Sequence, residues 1–337
     1  MNRLIDRLIP RRAGVRRTPI PAITAEEVEE AQAFFPRSKF FVFGHARSGT
    51  TLLMRLIDVH PEVHCSRQAH FFTRPPLLES LVGDPAVAEW LNRGSVRWNR
   101  GRDLSPVVLR AAADFILERE ARRRGARIVG DKSPNNLSHG EAVQRMQRIY
   151  PDARLIFIVR DGRDAVLSHR FQSFIDATQH LDPQDWKIRA AFQSDPDDFG
   201  EGRRSLFTEK GLRLEALSWL KNVTTTSAAG RELFAGRFHE IRYEDLVDDP
   251  LAELKKIWAF LATEQDPADL AERVQAVVDV NRDADWQAEK AGGLAEAIPK
   301  GQRGNWRLFF TAGDKAIFKQ CAGELLAHLG YENDGNW

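Results

Sequence analysis

With 337 residues and 42% hydrophobic content, the chain is long enough for one large α/β domain with its own core, or for two small domains. Lys+Arg total 49 against 48 Asp+Glu, a formal charge of +1, so no global field argues for nucleic acid and any anion site has to be assembled locally. Cys65 and Cys321 form no CxxC or Cys/His cluster, which excludes a disulfide framework and suggests no structural zinc. No apolar run approaches the about 18 residues of a membrane span, so the expected location is cytoplasmic.

Residues 1–17 carry six arginines and one aspartate, with Leu4, Ile5, Leu8 and Ile9 before Pro10. This basic arm reads as a solvated tail, with peripheral membrane contact through a short amphipathic turn as its alternative. A helix is predicted over 25–35, with Thr24 as N-cap and Pro36 as its stop. Residues 39–43 form an apolar run that reads as a buried strand. After it, Gly44-His45-Ala46-Arg47-Ser48-Gly49-Thr50-Thr51 has the spacing of a phosphate-binding P-loop opening a helix over 50–60. Thr50 stands where a nucleotide triphosphatase carries its lysine, and the loop's only cation is Arg47. The loop therefore cradles a phosphate without the usual γ-phosphate apparatus.

Further strands are predicted at 127–130, 154–159 and 238–243, and helices at 106–124, 141–150, 212–225, 251–262 and 315–329. Such alternation gives an α/β fold, a P-loop-like three-layer arrangement with a central parallel sheet flanked by helices, with ligands beyond the strands' carboxyl ends. Residues 176–211 break the rhythm, mixing His180, Trp186, Phe192 and Phe199 with six aspartates, and read as a substrate lid or a plain surface insertion. At the end of the 154–159 strand, Arg160 precedes Asp161-Gly162-Arg163-Asp164 and a helix carrying Ser168. A planar donor and a hydroxyl two turns into that helix suit one terminal phosphate; the alternative is an ion pair of Arg160 with Asp161 or Asp164.

A lysine-free P-loop with Arg47, paired with a strand-Arg-(x)7-Ser element, resembles the superfamily of sulfotransferases that use 3′-phosphoadenosine 5′-phosphosulfate (PAPS). The resemblance extends over residues 39–307. It includes Gly130-Asp131-Lys132-Ser133-Pro134, similar to that family's Lys-x-Pro element, the 241–250 segment with Tyr243, and Lys300-Gly301-Gln302-Arg303-Gly304-Asn305-Trp306, similar to a late loop that closes over the nucleotide. It implies a basic arm and leading helix over 1–36 and a sulfotransferase domain over 37–337. It also implies that Arg47, Ser48, Gly49, Thr50 and Thr51 hold the 5′-phosphosulfate. Arg160 with Ser168 would hold the 3′-phosphate, Tyr243 would contact the adenine or ribose, and Lys300 with Gly301 would close the site.

Sulfuryl transfer moves a group of lower charge than phosphoryl, so no metal is expected; a cation near the bridging oxygen is, and Arg47 and Lys132 are the candidates. The segment Gln68-Ala69-His70-Phe71-Phe72 resembles the Glu-x-His-Phe-Phe element of heparan-type enzymes, but Gln68 replaces their glutamate base. His70 is the nearest substitute, with His45, His180 and Asp131 as competitors. The expected activity is sulfuryl transfer from PAPS to an acceptor hydroxyl or amine, on a small molecule, glycan or lipid precursor. The alternatives are a PAPS-binding module that has lost its base, or a P-loop kinase.

Overall fold

The computed structural model describes residues 20–337 apart from 74–76, 93–96, 136, 138, 265–266, 281–302 and 334–336. The basic arm, Lys300 and Gly301 lie outside the described residues.

Strands β1 (Ser38–Gly44), β2 (Val63–Arg67), β3 (Ile128–Lys132), β4 (Arg154–Val159) and β5 (Phe238–Arg242) form one parallel sheet in the order β2-β3-β1-β4-β5. The helices, in chain order, are α1 (Ala25–Phe34), α2 (Thr50–Ile57), α3 (Leu77–Ser80), α4 (Pro85–Leu91), α5 (Ser105–Arg124), α6 (Glu141–Ile149), α7 (Gly162–Ile175), α8 (Pro183–Ser194), α9 (Glu209–Leu233), α10 (Tyr243–Asp248), α11 (Pro250–Leu261), α12 (Leu270–Asp279), α13 (Trp306–Phe309) and α14 (Ala312–His328).

Because side chains alternate along a strand, each central strand feeds two cores. Phe41, Phe43, Leu155 and Phe157 pack with Leu109, Leu117, Trp219 and Phe318, under α5, α9 and α14. On the other face Phe40, Val42, Ile156 and Ile158 pack with Leu53, Leu56, Leu254 and Trp258, under α2 and α11. Each such fully buried side chain contributes about 1.5–3 kcal/mol. Continuous apolar runs on both faces are what make β1 and β4 central. The chain passes from β1 to the edge strand β2, returns through β3 and crosses β1 to reach β4, so it reverses beside β1 and opens a crevice at that strand's carboxyl end.

Thr24 caps α1 in a reciprocal box with Glu27, as its spacing predicts. β2 was not expected. It is a short edge strand with polar His64, Ser66 and Arg67, and it is held by Asp58, whose carboxylate accepts from the Cys65 N–H at 2.9 Å and pairs with His64 at 3.1 Å.

The 176–211 stretch corrects the lid expectation. Asp182 caps α8, with Pro183 in the first turn, and Asp195 caps the 3-10 stretch Pro196–Gly202, so aspartates that read as irregularity are helix starts. Phe192 and Phe199 are fully buried and meet edge to face at 5.4 Å, beside Phe171 and Phe309. The stretch is a packed flank of the larger core.

Candidate active site

β1 ends at Gly44, whose carbonyl accepts from the Asn135 N–H at 2.8 Å, and α2 begins at Thr50. Between them Arg47 has φ 68° and Gly49 φ 87°, both left-handed, which folds the loop back so that its N–H groups collect at the start of α2. Inside this turn the Ser48 hydroxyl is buried and has no hydrogen-bond partner among the described residues, a donor at a place shaped for an anion. Gly49 is required twice over: a Cβ there would lie 2.2 Å from Cδ2 of Tyr243, on a backbone that alanine adopts only under strain. Gly49→Ala is expected to cost about 2–4 kcal/mol of stability, read as a shift in the urea midpoint; a shift below a quarter of that would contradict the close packing of loop and ring.

The two predicted anion elements meet in one residue. Arg47 donates from Nε to the Ser168 hydroxyl at 3.1 Å, while its carbonyl accepts from Nη1 of Arg160 at 3.0 Å. The Arg160 guanidinium lies 4.5 Å from the centre of the Tyr243 ring, and that ring, 6% exposed, packs against Gly49. Tyr243 thus supports Arg160 from below and braces the P-loop from the side. Burial pushes the Asp164 carboxyl up, and the nearby Arg160 guanidinium pulls against that push. Asp161 caps α7 and grips Arg163 with both oxygens, at 2.7–3.2 Å, and Arg163 also pairs with Glu332 and lies 3.8 Å from the Trp306 ring.

The described end of the late loop docks here as well. Asp164, in the first turn of α7, accepts from the Gly304 N–H at 2.7 Å and from the Trp306 N–H at 3.1 Å. That loop therefore returns beside Arg160 and Ser168. Trp306 is buried and packs in the core, and so is Trp219, whose ring meets Gly162. The Asp164 anchor was missed because its carboxylate, four residues after Arg160, reads in sequence as an ion-pair partner for that arginine, while its backbone donors lie 140 and 142 positions away.

On the other side of the loop, β3 delivers Lys132. Its side chain is fully buried, on the α2 face, and Nζ donates to Oγ1 of Thr51 at 3.2 Å. Arg47 and Lys132, paired as alternative cations for one oxygen, thus lie on opposite flanks: Arg47 reaches toward α7 and Lys132 toward the start of α2. The flanking side chains of β3 point the other way. Asp131 accepts from the Ala69 N–H at 2.9 Å and from the Ser133 hydroxyl at 2.5 Å, and the Ser133 hydroxyl accepts from the His70 N–H at 2.9 Å. Burial pushes the Asp131 carboxyl up to about 6, with Ser133, Ala69 and Lys132 pulling it down.

Of the base candidates, His70 is half-buried, in a left-handed turn at φ 52°, with Nδ1 2.9 Å from Oγ1 of Thr73. Gln68 is exposed, at φ 54°. His45 is buried, donates from Nδ1 to the Ala46 carbonyl at 3.1 Å and is pushed down to about 4 by burial, which makes it a loop strut and a poor proton acceptor near neutrality. His180 sits exposed on the 3-10 turn Thr178–His180.

Residues 39–267 match the model of the sulfotransferase family. The chain belongs to that family. A protein-tyrosine sulfotransferase of Drosophila melanogaster is 33% identical over 131 residues, 38% of this chain and 24% of that one. Protein-tyrosine sulfotransferase 2 of Gallus gallus is 30% identical over 131 residues, 38% of this chain and 32% of that one. The matches span about a quarter to a third of the length of these curated relatives. Among solved structures, the sulfotransferase domain from the curacin biosynthetic pathway is similar over 88% of this chain and 98% of that one, with 17% identity and a TM-score of 0.47, a likeness too distant to argue from. The sulfotransferase-family match covers the P-loop, the Lys132 strand, the Arg160–Ser168 element and Tyr243. No described helix is long and apolar enough to cross a membrane, and no cluster of metal-ligating side chains occurs among the described residues.

Proposed function

We propose that this chain transfers a sulfuryl group from PAPS to an acceptor hydroxyl or amine by in-line displacement, releasing adenosine 3′,5′-bisphosphate. The observation that carries the reading is Arg47, which joins a lysine-free P-loop to both Arg160 and Ser168 while Lys132 closes the loop's other flank. PAPS carries two anionic ends and an activated sulfuryl group. The loop N–H groups, Ser48, Thr50 and Thr51 suit its 5′ end; Arg160, Ser168 and the Arg47 guanidinium suit its 3′-phosphate. Lys132, buried at Thr51, is placed to hold the charge that develops on the bridging oxygen, which makes it a better fit to that role than Arg47.

His70 takes the acceptor's proton in this reading, on the side of β3 away from α2, with Gln68 beside it unable to do so. With labelled PAPS and a panel of phenolic, carbohydrate and lipid-precursor acceptors, His70→Ala is expected to lower turnover by about 10²–10⁴-fold. Near-normal turnover would remove His70 from the base role. A second reading, favoured by Gln68, is a PAPS-binding module; it is chosen if PAPS binds and no acceptor is sulfated. A cytoplasmic location, and docking of the arm at 1–17 on a membrane surface, belong to the same proposal.

A further inference from the structure

We propose that Asp131 and Ser133 are positioning residues for proton abstraction, holding the 68–70 turn against the end of β3 so that the His70 base and the Lys132 cation stand in fixed register. The proposal rests on the assignment of His70 as base.

The geometry is a consequence of strand alternation. β3 pairs with β1 on one side and β2 on the other, and its last residues keep the two-residue period, sending Lys132 to the α2 face and Asp131 and Ser133 to the opposite face. Ser133 extends that register beyond the strand, because its N–H donates to the Val42 carbonyl at 3.1 Å. The turn at 68–70 is then tied to three consecutive residues. Gln68 N–H donates to the Lys132 carbonyl at 2.8 Å, Ala69 N–H to the Asp131 carboxylate and His70 N–H to the Ser133 hydroxyl.

Such ties are needed because Gln68 and His70 both adopt positive φ, where a residue with a Cβ sits only when its surroundings hold it there. The Ser133 hydroxyl has one proton, and it goes to Asp131 at 2.5 Å, which leaves its lone pair to receive the His70 N–H. Asp131 therefore fixes which way the hydroxyl points. An asparagine in its place accepts through only one atom and loses one of the two contacts. All three partners are buried, so water is poorly placed to substitute.

The test uses Ser133→Ala and Asp131→Asn, alone and combined with His70→Ala. Affinity for adenosine 3′,5′-bisphosphate is expected to stay within about twofold of the unmodified protein, while kcat falls by about 10–100-fold with the KM for PAPS unchanged. Because the effect runs through His70, adding Ser133→Ala to His70→Ala should cost less than about twofold more. Amide exchange of residues 68–70 should quicken in both single variants, whether or not an acceptor has been found. Unaltered exchange, or unaltered kcat in an enzyme that does turn over PAPS, overturns the positioning role. Failure of the unmodified protein to bind the bisphosphate would instead strike at the functional reading, and exchange would still decide whether Ser133 holds the turn.

Discussion

Arg160→Ala is expected to raise the dissociation constant for adenosine 3′,5′-bisphosphate by about 30–150-fold, a loss of about 2–3 kcal/mol. The size follows from what the guanidinium does. It is buried over Tyr243 and donates to the Arg47 carbonyl, so its removal takes away a charge for the 3′-phosphate and also the tie that fixes the backbone of the loop. Arg160→Lys keeps the charge but cannot reproduce the planar fork, and its affinity should fall between the two. Calorimetric titration checks this; a change of less than threefold for Arg160→Ala would place the 3′-phosphate elsewhere.

Lys132→Met is expected to lower kcat by about 10²–10³-fold, or about 3–4 kcal/mol of transition-state stabilisation, with a smaller effect on bisphosphate affinity than Arg160→Ala. Methionine fills most of the buried volume, so the change removes charge more than packing. The charge matters most as the bridging oxygen gains electrons, which is why the loss should appear in kcat. Single-turnover rates with PAPS in excess measure it directly, and a loss below threefold would contradict the placement of Lys132 at the leaving group. The contrast between the two variants is informative: one flank of the loop is assigned to holding the nucleotide, the other to the reaction.

Much of this was legible in the chain. The apolar runs of β1 and β4 and the glycines at 44 and 49 announce a buried strand feeding a phosphate loop, and the spacing from Arg160 to Ser168 announces a second anion element. What could not be read was how the elements meet. In the sequence Arg47 belongs only to its own loop, and only the fold brings its Nε to Ser168, 121 positions away. β2 escaped because an edge strand needs few apolar residues and its stability comes from Asp58 and its neighbour β3. The 176–211 stretch misled for the opposite reason: aspartates that begin helices look, in sequence, like those of a loop, and the burial of Phe192 and Phe199 is set by partners far along the chain. Ser133 was hidden in a motif whose lysine drew the reading, and Asp131 was weighed only as a base, although the alternation of a strand end is enough to set both on the other face.

The central claim is that this loop serves a bisphosphate nucleotide without the apparatus of a triphosphatase, and one measurement tests it most directly. Purified protein is titrated calorimetrically with adenosine 3′,5′-bisphosphate in the absence of metal, and in parallel with Mg²⁺-ATP. The site described here predicts tight binding of the bisphosphate and weak or no binding of Mg²⁺-ATP. A preference for Mg²⁺-ATP would contradict it.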